Sequence, residues 1–553
     1  MRRVRFPLLG SILCLVALLE ASSLAVAAEL ETDPSHYRNH LSSLKPGDTL
    51  NLTPGRYPRL VIAGLNGTST AWITIKGPAS GAPAVVTGES GYNTIEITNS
   101  SFVAIENLRI NSLGIEGAFG ISAKGGVANH THDIRIEGNI LVGQNAEQQT
   151  VGISTKTPTW GWIIRSNQIS GAGTGIYLGN SDGTQPFVDG VIEDNLIQDT
   201  IGYNMEIKDQ ISIPVIPGMP TVPTSTIIRN NVFIKDDQSS PDGDRPNLLV
   251  GAFPINGTGS RNLYEIYGNL FVHNHREALF QGSGRISLHD NIFVDGPPDY
   301  AAVVLRQQNF PLRTAYVYNN TVYTSGQGIH FGTAALDADA VIGNLVFAAT
   351  PITGTVGRSS DNVIAPLAIA GTYVNSPSFE LGAMDFYPRP GKCQGKAIDL
   401  RPFRTNVDYN RDFNNTPKAH LNGAVVFRGA YAGEGRNPGW RLQATIKPST
   451  GSFSPTREGE GRSSDSVNRD VNPFFPILAE RFNDVEVANT TGTRGEDIFA
   501  VGRNCEPVRW LDGCASRPGN RDSAGLLLWE SFARAQQPTT QRCNCSSFTR
   551  AIG

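Results

Sequence analysis

The 553-residue chain carries 46 Lys and Arg against 50 Asp and Glu, and only 17% of its residues are charged. With no basic or acidic block, this balance gives no electrostatic footprint for nucleic acid. Gly 59 and Pro 34 point to turn-rich β structure, and no stretch after the N-terminus is apolar enough to cross a membrane.

The N-terminus reads as an export signal over residues 1–28. Arg2, Arg3 and Arg5 form a basic region, Leu8 to Leu19 an apolar one, and Ala25-Val26-Ala27 or Val26-Ala27-Ala28 a small-residue cleavage site. The mature protein is therefore expected to be secreted or periplasmic, a monomer without stable membrane insertion. Residues 29–46 are expected to cap a solenoid, with a short amphipathic helix over His36 to Leu44 shielding the first coil.

Residues 47–377 carry a recurring motif: an alternating strand, a polar residue or glycine, Asn, then an apolar pair. It appears as Ile134-Arg135-Ile136-Glu137-Gly138-Asn139-Ile140-Leu141 and returns around Asn167, Asn195, Asn231, Asn269 and Asn291, with weaker copies at Asn107, Asn320 and Asn344. Periods of this kind mark stacked repeats, each burying its apolar face against its neighbours. Short β-branched strands with Asn and Gly at the corners make these β-coils rather than helical pairs. The expected fold is all-β: a single right-handed parallel β-helix with an N-terminal capping helix and an irregular C-terminal extension. Asn suits the corners because it tolerates left-handed backbone angles and its amide can bond the coils above and below.

Residues 378–448 read as a closing segment, and 449–553 as a partly disordered tail whose first part, 449–473, is Ser/Gly/Arg/Glu-rich. Five cysteines follow the signal: Cys393, Cys505, Cys514, Cys543 and Cys545. None has zinc-finger spacing, and one or two disulfides are expected among them, with an odd thiol left over.

Alternation along stacked strands lets the outer face be read as columns. In Gly120-Ile121-Ser122-Ala123-Lys124 and Gly152-Ile153-Ser154-Thr155-Lys156 the lysines point outward, as does Tyr177. In Asn204-Met205-Glu206-Ile207-Lys208 the polar residues Asn204, Glu206 and Lys208 are expected to share that face, followed by Arg306 and His330. Lys124, Lys156, Tyr177, Arg306 and His330 are the candidate substrate-binding residues. A line of cations with an aromatic ring suits an extended anionic glycan; outward residues of a solenoid are otherwise simply solvated. The long insertion with Asp236, Asp237, Asp242, Asp244 and Arg245 is a second candidate region, either a calcium-binding or a plain solvated loop. No P-loop, dinucleotide fingerprint, nucleophile elbow or zinc motif is present.

The opening Pro46-Gly47-Asp48-Thr49 … Pro54-Gly55-Arg56-Tyr57 resembles that of secreted right-handed parallel β-helix proteins, most of all the chondroitinase B and alginate lyase family of polysaccharide lyases. The resemblance spans roughly residues 40–400. It implies β-elimination on an acidic, uronate-containing polysaccharide, with a metal-bound uronate, a Lys base and a nearby Arg. The family's metal and base segment is similar to a Glu-x-Glu-Ile strand with a Lys several residues later. Here Glu206-Ile207 matches the second acid, Asn204 stands at the first, and Lys208 comes earlier than the family's Lys. The resemblance thus implies Asn204 and Glu206 as ligands of a Ca²⁺ ion, and Lys208, Glu206 and Arg245 as catalytic residues. A hydrolase, a C5-epimerase and a non-catalytic glycan-binding or structural β-helix are the alternatives.

Overall fold

The computed structural model describes residues 27–448 apart from 297–299, 419 and 422–423. All but the last two residues of the expected signal peptide, and the whole 449–553 tail with four of the five cysteines, lie outside the described residues.

Among the described residues there are three long parallel sheets of fifteen, twelve and eleven strands. Each strand pairs with its counterpart one coil away. Ile121–Ala123, for example, lies between Ile95–Thr98 and Val151–Thr155. The chain therefore winds as a right-handed parallel β-helix, as the repeat predicts. Alternate side chains fill the interior: Ile121, Ala123, Ile153, Ile176, Met205 and Ile207 are all fully buried. Phe233, Phe271 and Phe293 stack down the core at 4.9 and 4.7 Å between ring centroids.

The capping helix α1, Tyr37–Leu41, buries Tyr37 and Leu41. It is preceded by a strand, Glu29–Thr32, that pairs with Thr49–Leu52 and begins the first sheet ahead of the helix.

The corner divides the two properties of Asn between two residues. The left-handed position is the residue before the motif Asn: Gly138, Ser166, Asp194, Asn230, Gly268, Asp290 and Asn319 have φ between +52° and +66°. The motif Asn itself is fully buried and bonds up and down the stack. Asn195 Oδ1 accepts from the backbone N–H and Nδ2 of Asn167, both at 3.0 Å, and Asn195 Nδ2 donates to Asn231 Oδ1 and Ile164 O. This ladder continues through Asn269, Asn291, Asn320 and Asn344 to Asn362. Asn107 is not part of it: it takes the left-handed position (φ +55°), and Leu108 stands where the ladder Asn would be, its N–H bonded to Asn139 Oδ1.

After Val363–Ala365 the chain turns back. It forms an antiparallel pair, Val374–Ser376 with Asp385–Pro388, and a small antiparallel sheet of Gln394–Ile398, His420–Leu421 and Ala424–Phe427. Phe386, Phe413, Ala430 and Tyr431 cover the outward residues Val232, Ile234, Leu270, Val272, Ile292 and Val294 of the second sheet. Phe403 stacks on Tyr318, and Asp408 bonds Tyr267 and Arg229 on the first. The third sheet's outer face stays clear of these contacts.

Candidate functional site

The outer face of the third sheet carries two neighbouring columns. Cα register aligns Val61, Glu96, Ser122, Ser154, Tyr177, Glu206, Leu249, Gln281, Val304, His330 and Thr353 in one. Two residues later along the same strands, Lys124, Lys156, Lys208 and Arg306 fall in the second. The predicted stripe is thus a pair of columns, one cationic and one holding the ring and the carboxylates. Ser122, Ser154 and Glu206 are 2%, 0% and 2% exposed although they face away from the core, so they form the floor of a crevice.

At its centre, Lys156 Nζ lies 3.8 Å from the centroid of the Tyr177 ring and Lys208 Nζ 5.7 Å from it. Lys208 also donates to Glu206 Oε1 at 2.9 Å. Lys156 has no ion pair among the described residues, and burial pulls its amine down to about 8, with Glu206 acting in the opposite sense. Burial also raises Glu206, against the pull of Lys208, and raises Tyr177 and Tyr203 well above the usual phenol range.

Arg245, reached through the long insertion, arrives beside this cluster. Its guanidinium sits 5.7 Å from the Tyr203 centroid and draws Glu206 electrostatically. It is positioned by its own loop, Nη2 donating to Asp242 O at 2.8 Å and Nη1 to Asp244 O at 3.1 Å. Gln148 clamps that loop from an earlier coil through Gly243 O and Asp242 N. Arg245 and Arg306 line one cleft of about 390 Å³ with Tyr203, Glu277, Gln281 and Asn309. With the Gln281 amide oxygen turned toward it, Arg306 donates to Gln281 through Nε at 2.7 Å and through Nη2. Tyr203 and Gln281 were not singled out by the sequence; only the stacking of coils brings them in.

Not every expected residue joins the cluster. Asn204 does not share the face with Glu206 and Lys208. It sits at the mouth of its strand, fully buried, with Nδ2 donating to Thr200 Oγ1 and Ile234 O at 3.0 Å. Lys124 lies at the far end of the crevice, paired with Glu96 at 2.8 Å. His330 lies three coils beyond Leu249 and is held by Thr353 Oγ1 at 2.8 Å.

The expected Ca²⁺ does not fit these residues. Asn204 lies off the face of Glu206, its Nδ2 used in the corner and its Oδ1 buried there without a partner. The Glu206 carboxylate is engaged by the Lys208 ammonium, and a cation beside it would face Lys208, Lys156 and Arg245. The acids of the insertion are committed too: Asp237 to His275, Asp242 to Gln149 and Asp244 to the Ser240 N–H. No group of three or more His, Cys, Asp or Glu that could hold a metal occurs among the described residues. His289 is fully buried between the Tyr267 and Tyr318 rings.

No family model and no curated protein matches the chain. Among solved structures, a PL6-family alginate lyase is similar over 61% of this chain and 51% of its own, at 13% identity and a TM-score of 0.38. The A-module of an Azotobacter vinelandii mannuronan C-5 epimerase matches 59% of this chain and 92% of its own, at 14% identity and a TM-score of 0.40. A GH136 lacto-N-biosidase from Eubacterium ramulus matches 61% and 68%, at 9% identity and a TM-score of 0.41. The chain spans about half the length of the first of these. The likenesses concern the parallel β-helix fold that the opening motif implied, not the chemistry of the crevice.

Proposed function

We propose that the chain is an exported β-helix protein that binds an acidic, uronate-containing polysaccharide along the third sheet and cleaves it by β-elimination. The observation that carries this reading is the cluster of Lys156, Tyr177, Glu206, Lys208 and Arg245: three cations and an aromatic ring converging on a buried carboxylate in an open crevice. Lys208 and Arg245 neutralise the uronate carboxylate, which acidifies the proton on the adjacent carbon. Lys156 is the better base than Lys208, because it has no carboxylate partner and burial favours its neutral amine. It takes that proton, a carbon–carbon double bond forms, the glycosidic C–O bond breaks, and the departing oxygen is protonated by water in the open cleft. No metal is needed for this sequence.

The test is the ultraviolet absorbance of the unsaturated uronate product on alginate, pectate and glycosaminoglycans. A rise with wild type that Lys156→Ala abolishes supports the proposal. A flat trace on every uronate polymer overturns it.

The Glu206–Lys208 pair favours a second reading, a non-catalytic glycan-binding β-helix, because it leaves one cation of the cluster already neutralised. That reading predicts retention on an anionic polysaccharide with no turnover, surviving Lys156→Ala.

A further inference from the structure

The crevice runs toward the N-terminal cap and ends in a pocket of about 480 Å³ between helix α1 and the first strand of the third sheet, Leu60–Ala63. Val61 and Ala63 face outward there, and Val61 is in register with Glu96, the first carboxylate of the crevice floor. Tyr92, 46% exposed, stands over the pocket on a turn closed by its N–H to Glu89 O. The Arg59 guanidinium stacks on one face of the Tyr92 ring at 4.0 Å. Its nearest acid is Glu96 at 3.5 Å, which Lys124 holds more closely at 2.8 Å. Arg59 Nε is buried with no hydrogen-bond partner. The pocket thus offers an apolar floor, an accessible ring and the Arg59 guanidinium. Arg38 adds a second cation and Glu89 one acid.

We propose that this pocket is the terminal subsite of the same crevice, taking the end sugar of an anionic oligosaccharide. The sugar face packs on Tyr92 and its carboxylate lies against Arg59. This inference rests on the glycan-binding reading above and adds the length of chain that the protein measures. In the strand order of the third sheet, Leu60–Ala63 is five strands from Met205–Ile207. At ~4.8 Å per strand the interval is roughly 24 Å. An extended pyranose chain advances by a similar length per residue, so the pocket and the Glu206–Lys208 cluster are about five sugars apart, with Lys124 and Lys156 between them.

The experiment is calorimetric titration of the full chain, carrying Lys156→Ala so that nothing is cleaved, with size-defined oligouronates of about three and about six sugars. The longer oligomer is expected to bind about tenfold more tightly, and Tyr92→Ala or Arg59→Gln to remove that advantage while leaving the shorter one unchanged. Tyr92 lies on an exposed turn, so its truncation spares the core even should Arg59→Gln disturb the cap. Equal affinity for both lengths, or a long oligomer indifferent to Tyr92→Ala, overturns the subsite but not the crevice. If no oligouronate of either length binds to the wild-type chain, the glycan reading itself falls, and the subsite with it.

Discussion

Lys156 and Tyr177, on consecutive coils, form a cation–π contact at 3.8 Å, and Lys208 stands farther off, 5.7 Å from the same ring. The ring holds Lys156 in place without supplying a proton acceptor, so burial sets its ionisation, pulling it down to about 8. A base of that kind is protonated, and inactive, below its pKa. The rate of uronate cleavage is therefore expected to climb with pH and level off above about 8. Lys156→Arg, which keeps the charge and the ring contact but cannot give up its proton, is expected to lose activity by ~10²–10⁴-fold and with it this limb of the profile. Steady-state rates from about pH 6 to about pH 10 on the most active substrate check this. An unchanged limb in the Arg variant would point to another base.

Arg245 tests the other half of the chemistry. Its loop carbonyls, Asp242 O and Asp244 O, aim the guanidinium into the cleft that Arg306 also lines. Lysine keeps the charge but not the planar fork that grips a carboxylate with two parallel bonds. Arg245→Lys is expected to raise KM by about tenfold, with a smaller effect on kcat, since the lost contact serves bound substrate and transition state alike. A variant with unaltered KM would place Arg245 outside the substrate contacts.

The corner ladder gives a prediction about stability in which neighbouring residues act in opposite directions. Asn195→Ala removes the acceptor for Asn167 N–H and Nδ2 and the donor to Ile164 O and Asn231 Oδ1, all buried. Unpaired buried groups cost ~1–3 kcal/mol each, partly relieved by relaxation, so a loss of about 3 kcal/mol is expected. Ser166 precedes a ladder Asn and holds φ +55°, where a Cβ is strained. Ser166→Gly is expected to gain ~0.5 kcal/mol, the relief of strain exceeding the extra entropy of a glycine in the unfolded chain. Denaturant melts of both variants decide it. If both destabilise, the left-handed residue contributes a contact that outweighs its strain.

Features that depend on one strand at a time were legible in the sequence, and features that depend on how coils sit against one another were not. The Asn period and the outward setting of Lys124, Lys156, Tyr177, Glu206 and Lys208 follow from alternation alone. Asn204 fits the same alternation, but its place at the strand mouth puts its amide within reach of Ile234 O one coil on. Asn107 looks like a ladder member because the corner offers two adjacent polar positions, and a single sequence does not say which one it fills. The choice between Lys156 and Lys208 as base turns on which amine lies against Glu206 and which against Tyr177, a distance set by coil stacking. The closing segment was visible as a change of texture, but its path back along the helix was not. Lys418 and Lys447 lie on that path, and both are buried.

Lys418 shows what that return path depends on. Its ammonium donates to Asp290 Oδ2 at 2.8 Å, Tyr409 O at 3.0 Å and Asn319 Oδ1 at 3.1 Å, joining the closing segment to two corners of the β-helix. Both partners of the ion pair are almost wholly buried, at 1% and 2% side-chain exposure. Burial drives the Asp290 carboxyl up to about 8 even with Lys418 beside it. Losing the ammonium leaves Asp290 Oδ2, Asn319 Oδ1 and Tyr409 O without their donor, so Lys418→Met is expected to cost about 3 kcal/mol. The pH dependence has a definite sign. Asp290 ionises near 4 when unfolded and far higher when folded, so the folded form binds the extra proton between those values. Its contribution is full at acid pH and is lost as pH rises. Without Lys418 the carboxyl is pushed higher still, and the deficit of Lys418→Met should be larger near pH 8 than near pH 5. Asp290→Asn in the same chain should remove this pH dependence, because an amide does not ionise. Guanidinium melts of the wild type, single and double variants at the two pH values measure this. A deficit that is the same at both, or one whose pH dependence survives Asp290→Asn, would mean that Lys418 stabilises the closing segment through its carbonyl contacts rather than through Asp290.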